Sequence, residues 1–499
     1  MVTNRKTFTI YVAIAIAAVA LLNIVGRSWF FRLDLTDGQV YSLSSSSQAV
    51  LSKVDDLLTA KVYFSENLPG RYGNNRRFLQ DILEEYAAYS DGNLRFEFYQ
   101  PENDEKLAEE AMKYGIQPVQ LQVVENDKLE IKRVHMGLVF LYEDQREVIP
   151  VVQTTTGLEY EITSKIKKMV DDQKQVIGIA QFEGQEGGSE NIRAQLSETY
   201  QVQQVPMASA VAADVSLLFV SGVTDSISAD ELKHLTDYVD RGGNLFLAQS
   251  KIDASLQTQQ GQPIVSNLYD VLDMYGVSLE DNLVLDEFCN NITVTQQRGF
   301  FRINTAVAYP FFPIIRDFGD HVIVEGLEQV HLLFPSEISW DSADSSVTVQ
   351  SLLQTSNQSG IAAGFFNLNP IENPMFETLT ETSRTVGVYA TSKVGATSVT
   401  SQLVLIPDSA FLLDEGGGRM PENVVFVMNA TDVLIGDRDL VKLRSREITS
   451  RPLAAVDEAG RATWKSTNFI LPALLVILYG LLQWRLETNR TKRLEELYG

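Results

Sequence analysis

The sequence predicts an α/β protein: an N-terminal thioredoxin-like domain and a doubly wound α/β domain, flanked by one transmembrane helix at each end. Three observations predict it. Strands alternate with helices in two successive blocks. An uncharged stretch of bilayer length lies near each end of the chain. The composition is that of a folded protein, with 44% hydrophobic and 21% charged residues over 499 positions, more than one ordinary core accommodates.

The apolar stretches are TFTIYVAIAIAAVALLNIVG (7–26) and the run from Ser466 to Trp484. Arg5 and Lys6 precede the first, and Arg485, Arg490, Lys492 and Arg493 follow the second. The positive-inside rule then puts both termini in the cytoplasm and the body between them outside the inner membrane, with 485–499 as a cytoplasmic basic tail. Trp29, Phe30, Trp464 and Trp484 suit interfacial anchoring. Ala18-Val19-Ala20 also fits a signal-peptide cleavage site, but the apolar run continues past it to Val25. Pro472 is compatible with a membrane helix.

The first block occupies 33–172. Serines 44–47 supply an N-cap for the helix SQAVLSKV. A strand at 58–64, a helix from about Asn75 to Tyr89, the strand LRFEFYQ and a helix ending at Tyr114-Gly115 follow. The strand PVQLQVV, a hairpin around KRVHMGLVFLYEDQREVIP and the helix EYEITSKIKKMV complete a β-α-β-α-β-β-α order, that of a thioredoxin-like layer. Pro118 falls where that fold often has a cis-proline. There is no C-x-x-C, so no thiol redox chemistry is expected.

The second block, 174–455, opens on VIGIAQFE, a strand of the buried parallel type, followed by the loop GQEGGSE and the helix NIRAQLSETY. Strands QVQQVPM, VSLLFVSG and NLFLAQS and helices SADELKHLTDYVDRGG and SNLYDVLDMYGV continue the alternation, which implies a doubly wound parallel sheet. Residues from about Gly299 to Ala396 are richer in β pattern. SQLVLIPDSAFLL is strand then loop, and PENVVFVMNATDVLIGD is a helix ended by Gly436.

RLDLTDGQVYSLS, carried by Arg32, Asp34, Leu35, Thr36, Tyr41, Ser42, Leu43 and Ser44 behind the first apolar segment, resembles the start of the gliding-motility-associated GldG family of ABC-transporter auxiliary proteins. FEGQEGGSENIRAQLSETYQV, ADELKHLTDYVDRGGNLFLA and MYGVSLEDNLVLD are similar to further stretches of that family. So is 423–453, where Asn429, Asp432, Gly436, Asp437 and LRSR…RPL follow its pattern. The loop departs at Gln185, where the family more often has histidine. The resemblance implies an auxiliary, substrate-recruiting subunit whose partners are an ABC permease and a cytoplasmic ATPase.

Several chemistries are excluded or disfavoured. The formal net charge of −24 argues against nucleic acid as the partner. No G-x-x-x-x-G-K-[ST] is present to cradle a nucleotide. The sheet resembles glutamine-amidotransferase-like folds, but the strand that would carry their cysteine ends Ala248-Gln249-Ser250, and the one cysteine, Cys289, lies elsewhere. His135, His234, His321 and His331 fall in unrelated elements, and no spacing suggests a metal or other cofactor.

Two groups of residues remain as candidate sites. Glu183, Gln185, Glu186, Ser221 and Asp286 lie at predicted strand ends, a candidate ligand edge. Arg438, Lys442, Arg444, Arg446 and Arg451 form a basic cluster suited to a membrane partner, to lipid head groups or to internal salt bridges. The expectation is a non-catalytic accessory subunit of an ABC transporter, with self-association inside the complex left open. The alternative is an envelope module binding carbohydrate or peptidoglycan, or a hydrolase, using the sheet's carboxyl edge.

Overall fold

The computed structural model describes residues 42–498 apart from 67, 69–71, 126–127, 172–174, 184–187, 299–300, 342–346, 378, 380–381, 396–397, 437–440, 442 and 444–457. The apolar segment 7–26 and the motif residues Arg32 to Tyr41 lie outside the described residues.

The N-terminal part of the α/β body is built on a four-stranded sheet. Strand β1 (Leu58–Phe64) pairs in parallel with β2 (Leu94–Tyr99) and antiparallel with β5 (Met136–Tyr142), which pairs antiparallel with β6 (Gln145–Ile149). Alternation along β1 sends Leu58, Ala60, Val62 and Phe64 into one core and Tyr63 into a smaller one with Ala111, Ile116 and Val139. Helices α1 (Ser45–Leu51), α2 (Gly73–Tyr89) and α4 (Leu158–Val170) cover the first core, and α3 (Glu105–Lys113) contributes to the second.

Two sequence expectations are corrected here. PVQLQVV is not a strand of this sheet: β3 (Val119–Glu125) and β4 (Lys128–Val134) form a separate antiparallel ribbon. No cis peptide bond occurs among the described residues, so Pro118 follows a trans bond.

The N-terminal segment is tied down by a buried polar network. The Ser47 N–H donates to the Ser44 side chain at 3.1 Å, capping α1. The Ser44 N–H and the Ser47 hydroxyl both donate to the buried Glu159 carboxylate at 2.8 Å. Tyr86 donates to the Glu159 carbonyl at 3.0 Å. A serine-rich entrance that looks solvated in sequence is therefore anchored to α4.

The rest of the α/β body contains an eight-stranded sheet. In chain order its strands are β7 (Val176–Gln181), β8 (Gln201–Pro206), β9 (Val215–Ser221), β10 (Asn244–Ala248), β11 (Asp317–Phe318), β12 (Val347–Gln354), β13 (Thr385–Val394) and β14 (Val399–Ile406); in space they run β11-β12-β13-β14-β10-β9-β7-β8. Five neighbours, β14 to β8, are parallel, as β-branched strands buried on both faces require. The other three are antiparallel additions at one edge, so the sheet is mixed rather than all parallel.

Helices lie on both faces. Ile192 and Leu196 of α5 (Glu190–Ser197) and Phe426, Val427, Ala430 and Val433 of α7 (Pro421–Leu434) pack on Ile177, Phe219, Phe246 and Val404. Leu235, Tyr238 and Val239 of α6 (Ala229–Asp240) pack with Leu218, Leu245 and Leu403. The Gly242-Gly243 pair makes the turn from α6 into β10. Gly242 has φ +90°, and a β-carbon on Gly243 would fall 2.4 Å from the Tyr238 ring. Gly436, also at φ +90°, follows α7 as expected.

The β-rich region supplies a long hairpin, Cys289–Arg298 with Phe301–Ile315, and a pairing of Asn282–Asp286 with Ser359–Ala363. Residues 450–499 form a separate unit containing helix α8 (Glu458–Tyr498). Within it Thr463–Asn489 is long and apolar enough to cross a membrane, with a mean hydropathy of 1.8.

Candidate functional site

Parallel strands deliver their C-terminal ends to one side of a sheet, where open α/β folds place ligands. Here that edge carries Phe182-Glu183 after β7, Ser221 at the end of β9, Gln249-Ser250 after β10 and Asp408-Ser409 after β14. Most of its polar groups are bonded to one another. The buried Gln249 amide donates to the carbonyls of Val223 at 2.6 Å and Ser250 at 3.0 Å, and accepts from the Val223 N–H at 3.1 Å. Ser250 and Ser409 cross-clamp: each hydroxyl accepts the other's backbone N–H, at 2.9 and 2.8 Å.

Asp408 is fully buried. Its carboxylate accepts from the N–H groups of Leu333 at 2.8 Å and Ala410 at 2.9 Å, yet burial outweighs these bonds and pushes the carboxyl up to about 7. Nothing in LVLIPDSAFLL marked this residue except its place at a strand end.

The glycine-rich loop leads to a helix start that is already occupied. The N–H groups of Glu190 and Asn191, at the beginning of α5, donate to the Asp414 carboxylate at 2.9 and 3.0 Å. These amides are the ones that would otherwise hold an anion. The Glu183 N–H donates at 3.1 Å to Glu231, which also forms a capping box with Ser228 on α6. The Glu183 side chain is exposed, and Ser221 is buried.

The structure brings Glu183 and Ser221 to the ends of neighbouring strands but puts Asp286 in a different sheet. Asp286 accepts from the Phe288 N–H at 2.8 Å and from the N–H and hydroxyl of Ser356 at 2.6 and 2.9 Å. Burial holds its carboxyl above the usual range. It serves as a turn anchor for Ser356. Gln185, Glu186 and the basic cluster of Arg438, Lys442, Arg444, Arg446 and Arg451 lie outside the described residues.

No described histidine is bonded to Ser250. His234 is bonded to the Met207 carbonyl, His321 accepts from the Ile323 N–H, and His331 contacts Asn290 and Gln329. His135 is buried with neither ring nitrogen hydrogen-bonded, and burial lowers its pKa. Cys289 is half-buried, which pushes its thiol up and away from the reactive thiolate. Among the described residues no group of three or more His, Cys, Asp or Glu side chains could hold a metal ion.

This geometry defines a class: an α/β body with most of its strand-end polar groups tied to its own backbone, in a chain that also has a helix of membrane-spanning length. Residues 174–430 match the family described as ABC-type uncharacterized transport system, and the chain belongs to that family. Membership places it among the auxiliary components of such systems. A second model, described as a domain of unknown function, matches 37–141. An uncharacterized protein of Borreliella burgdorferi is 22% identical over 483 residues, covering 91% of this chain and 93% of its own. Among solved structures, the mmIFT52 N-terminal domain has a TM-score of 0.34 at 13% identity, covering 52% of this chain and 97% of its own. A putative ThuA-like protein from Bacteroides uniformis has a TM-score of 0.30 at 8% identity, covering 53% and 93%.

Proposed function

We propose that the chain is a non-catalytic accessory subunit of an ABC transporter of the gliding-motility-associated type. It is anchored in the inner membrane by 7–26 and 466–484, with both termini cytoplasmic and the body outside. The observation that carries this reading is the family match over 174–430. The apolar helix span supports the anchoring. The sheet order β2-β1-β5-β6, with one parallel and two antiparallel pairings, supports a thioredoxin-like assignment for 33–172. Helices on both faces of the parallel strands support a flavodoxin- or amidotransferase-like core for 174–455.

The body docks on a permease that works with a cytoplasmic ATPase and recruits substrate to it, with the basic cluster around Arg444 and Arg446 facing the partner or lipid head groups. The rival reading, an envelope binding module or hydrolase at the sheet edge, is weakened by the engagement of Gln249, Ser250, Asp408 and Asp414 with backbone groups.

Topology is testable with single cysteines in a Cys289→Ser background. Thr258→Cys, on an exposed turn, is expected to react with a membrane-impermeant maleimide in intact spheroplasts. Thr491→Cys, in the basic tail, is expected to react only after permeabilisation. The reverse pattern would overturn the arrangement.

A further inference from the structure

The hairpin of Cys289–Arg298 with Phe301–Ile315 is firmly held at its base and bare along its outer half. At the base, Tyr309 donates to the Leu368 carbonyl at 2.9 Å, and its ring meets those of Phe312, Phe334 and Phe376 at centroid distances of 5.0, 6.1 and 5.9 Å. The strand Phe301–Ile315 also pairs with Val330–His331 through Ile314 and Ile315. From Asn291 opposite Ala308 to Arg298 opposite Phe301, the two strands pair only with each other among the described residues. These eight residue pairs make an arm of about 25 Å, at about 3.3 Å per residue. Asn291, Thr293 and Thr295 on one strand and Asn304, Ala306 and Ala308 opposite them are exposed. Ile292 and Val294, with Val307 opposite Ile292, share the other face and are half-buried.

A two-stranded ribbon alone is marginal in water, and alternate residues of each strand turn their N–H and C=O groups away from the partner strand. Free edges of this kind are ordinarily blunted with lysine, proline or a bulge. The run NITVTQQR (291–298) has neither lysine nor proline, and the one irregularity in the pairing lies at its foot, between Cys289 and Asn291. Charge is divided along the arm. Glu287, exposed, stands just before it, and Arg298 and Arg302 stand at its far end, while residues 289–315 hold no Asp, Glu or Lys in a chain of net charge −24.

We propose that the free edge of Cys289–Arg298 pairs with the same edge of a second copy of this chain, antiparallel, across a twofold axis perpendicular to the sheet. Antiparallel pairing of a segment with itself is isologous by construction. It sets the arginine end of each arm beside the Glu287 end of the other, whereas a parallel pairing sets arginines against arginines. The two hairpins become one four-stranded sheet, with Ile292 and Val294 of both copies side by side on one face. This dimer stands whether or not the chain serves a transporter.

The test is bismaleimide cross-linking of single cysteines in a Cys289→Ser background, on the full chain in its own membrane and in mild detergent. Thr293→Cys and Thr295→Cys, near the axis, are expected to link to themselves as a covalent dimer. Thr258→Cys, on an exposed turn elsewhere, is expected not to. Arg302→Cys is expected to link to Glu287→Cys when the two chains are co-expressed, and not to itself, which reads the antiparallel sense. Thr293→Lys combined with Thr295→Lys puts four like charges around the axis and is expected to weaken dimerisation about 10-fold, read as the dimer fraction by light scattering across a dilution series. All these threonines are exposed, and unchanged denaturant unfolding of each variant guards against misfolding. No self-linkage at Thr293→Cys and Thr295→Cys, self-linkage of Arg302→Cys, or an unchanged dimer fraction in the lysine variant would refute the proposal. So would a linked product holding another polypeptide in place of the second copy, which would assign the arm to that partner.

Discussion

Replacing Phe246 with alanine is expected to destabilise the α/β body by about 3–5 kcal/mol, the cost of truncating a fully buried aromatic side chain. Phe246 is 0% exposed at the centre of the large sheet. Its ring centroid lies 5.0 Å from that of Phe219 on β9, 6.4 Å from Phe411 in the loop after β14 and 6.3 Å from Phe426 on α7. One residue thus holds two strands, the carboxyl-edge loop and the covering helix, and the cavity left behind has three other rings as walls. Denaturant unfolding of the full chain in detergent measures the effect. Phe365→Ala is the control, because that ring is 76% exposed and its loss is expected to stay within about 0.5 kcal/mol.

The stability of the same body is expected to depend on pH through Asp408. Its carboxyl titrates near 3.8 when unfolded and at about 7 when folded, so between those values the folded chain holds a proton that the unfolded chain has released. The associated stabilisation is complete below the unfolded value and is lost as pH rises through about 7. The gap of about three units corresponds to roughly 4 kcal/mol in total, of which about 3 kcal/mol falls between pH 5 and 8. Asp408→Asn removes the titration and leaves one of the N–H groups of Leu333 and Ala410 without an acceptor, a loss of about 1–3 kcal/mol that does not vary with pH. The advantage of the parent chain over the variant is therefore expected to shrink from pH 5 to pH 8. A constant difference would show that Asp408 is ionised throughout.

Local signals carried much of the fold. VIGIAQ and VSLLFVS are β-branched runs too short for helices, and they form β7 and β9. Ser228 and Glu231 stand at capping-box spacing, and both halves of the box form. Gly436 ends α7 because only a residue tolerant of positive φ suits that turn. What the sequence could not show depends on partners far along the chain. Period-2 alternation is the same in parallel and antiparallel strands, so the antiparallel edge of the sheet was not readable from Val347–Gln354 or Thr385–Val394.

The partners of the candidate edge were hidden in the sequence for a related reason. Asp286 looks free at its strand end, but its partner Ser356 is 70 residues away. The start of α5 follows the glycine-rich loop, but the residue that fills it, Asp414, is 224 residues from Glu190.

The claim that the chain is an accessory subunit of an ABC transport system is tested most directly by purification from its own membrane. The tagged full chain is extracted in mild detergent beside a chain ending before residue 466, and the accompanying polypeptides are identified by mass spectrometry. The account predicts an ABC permease and its ATPase with the full chain and neither with the truncated one. A full chain that elutes alone would contradict it.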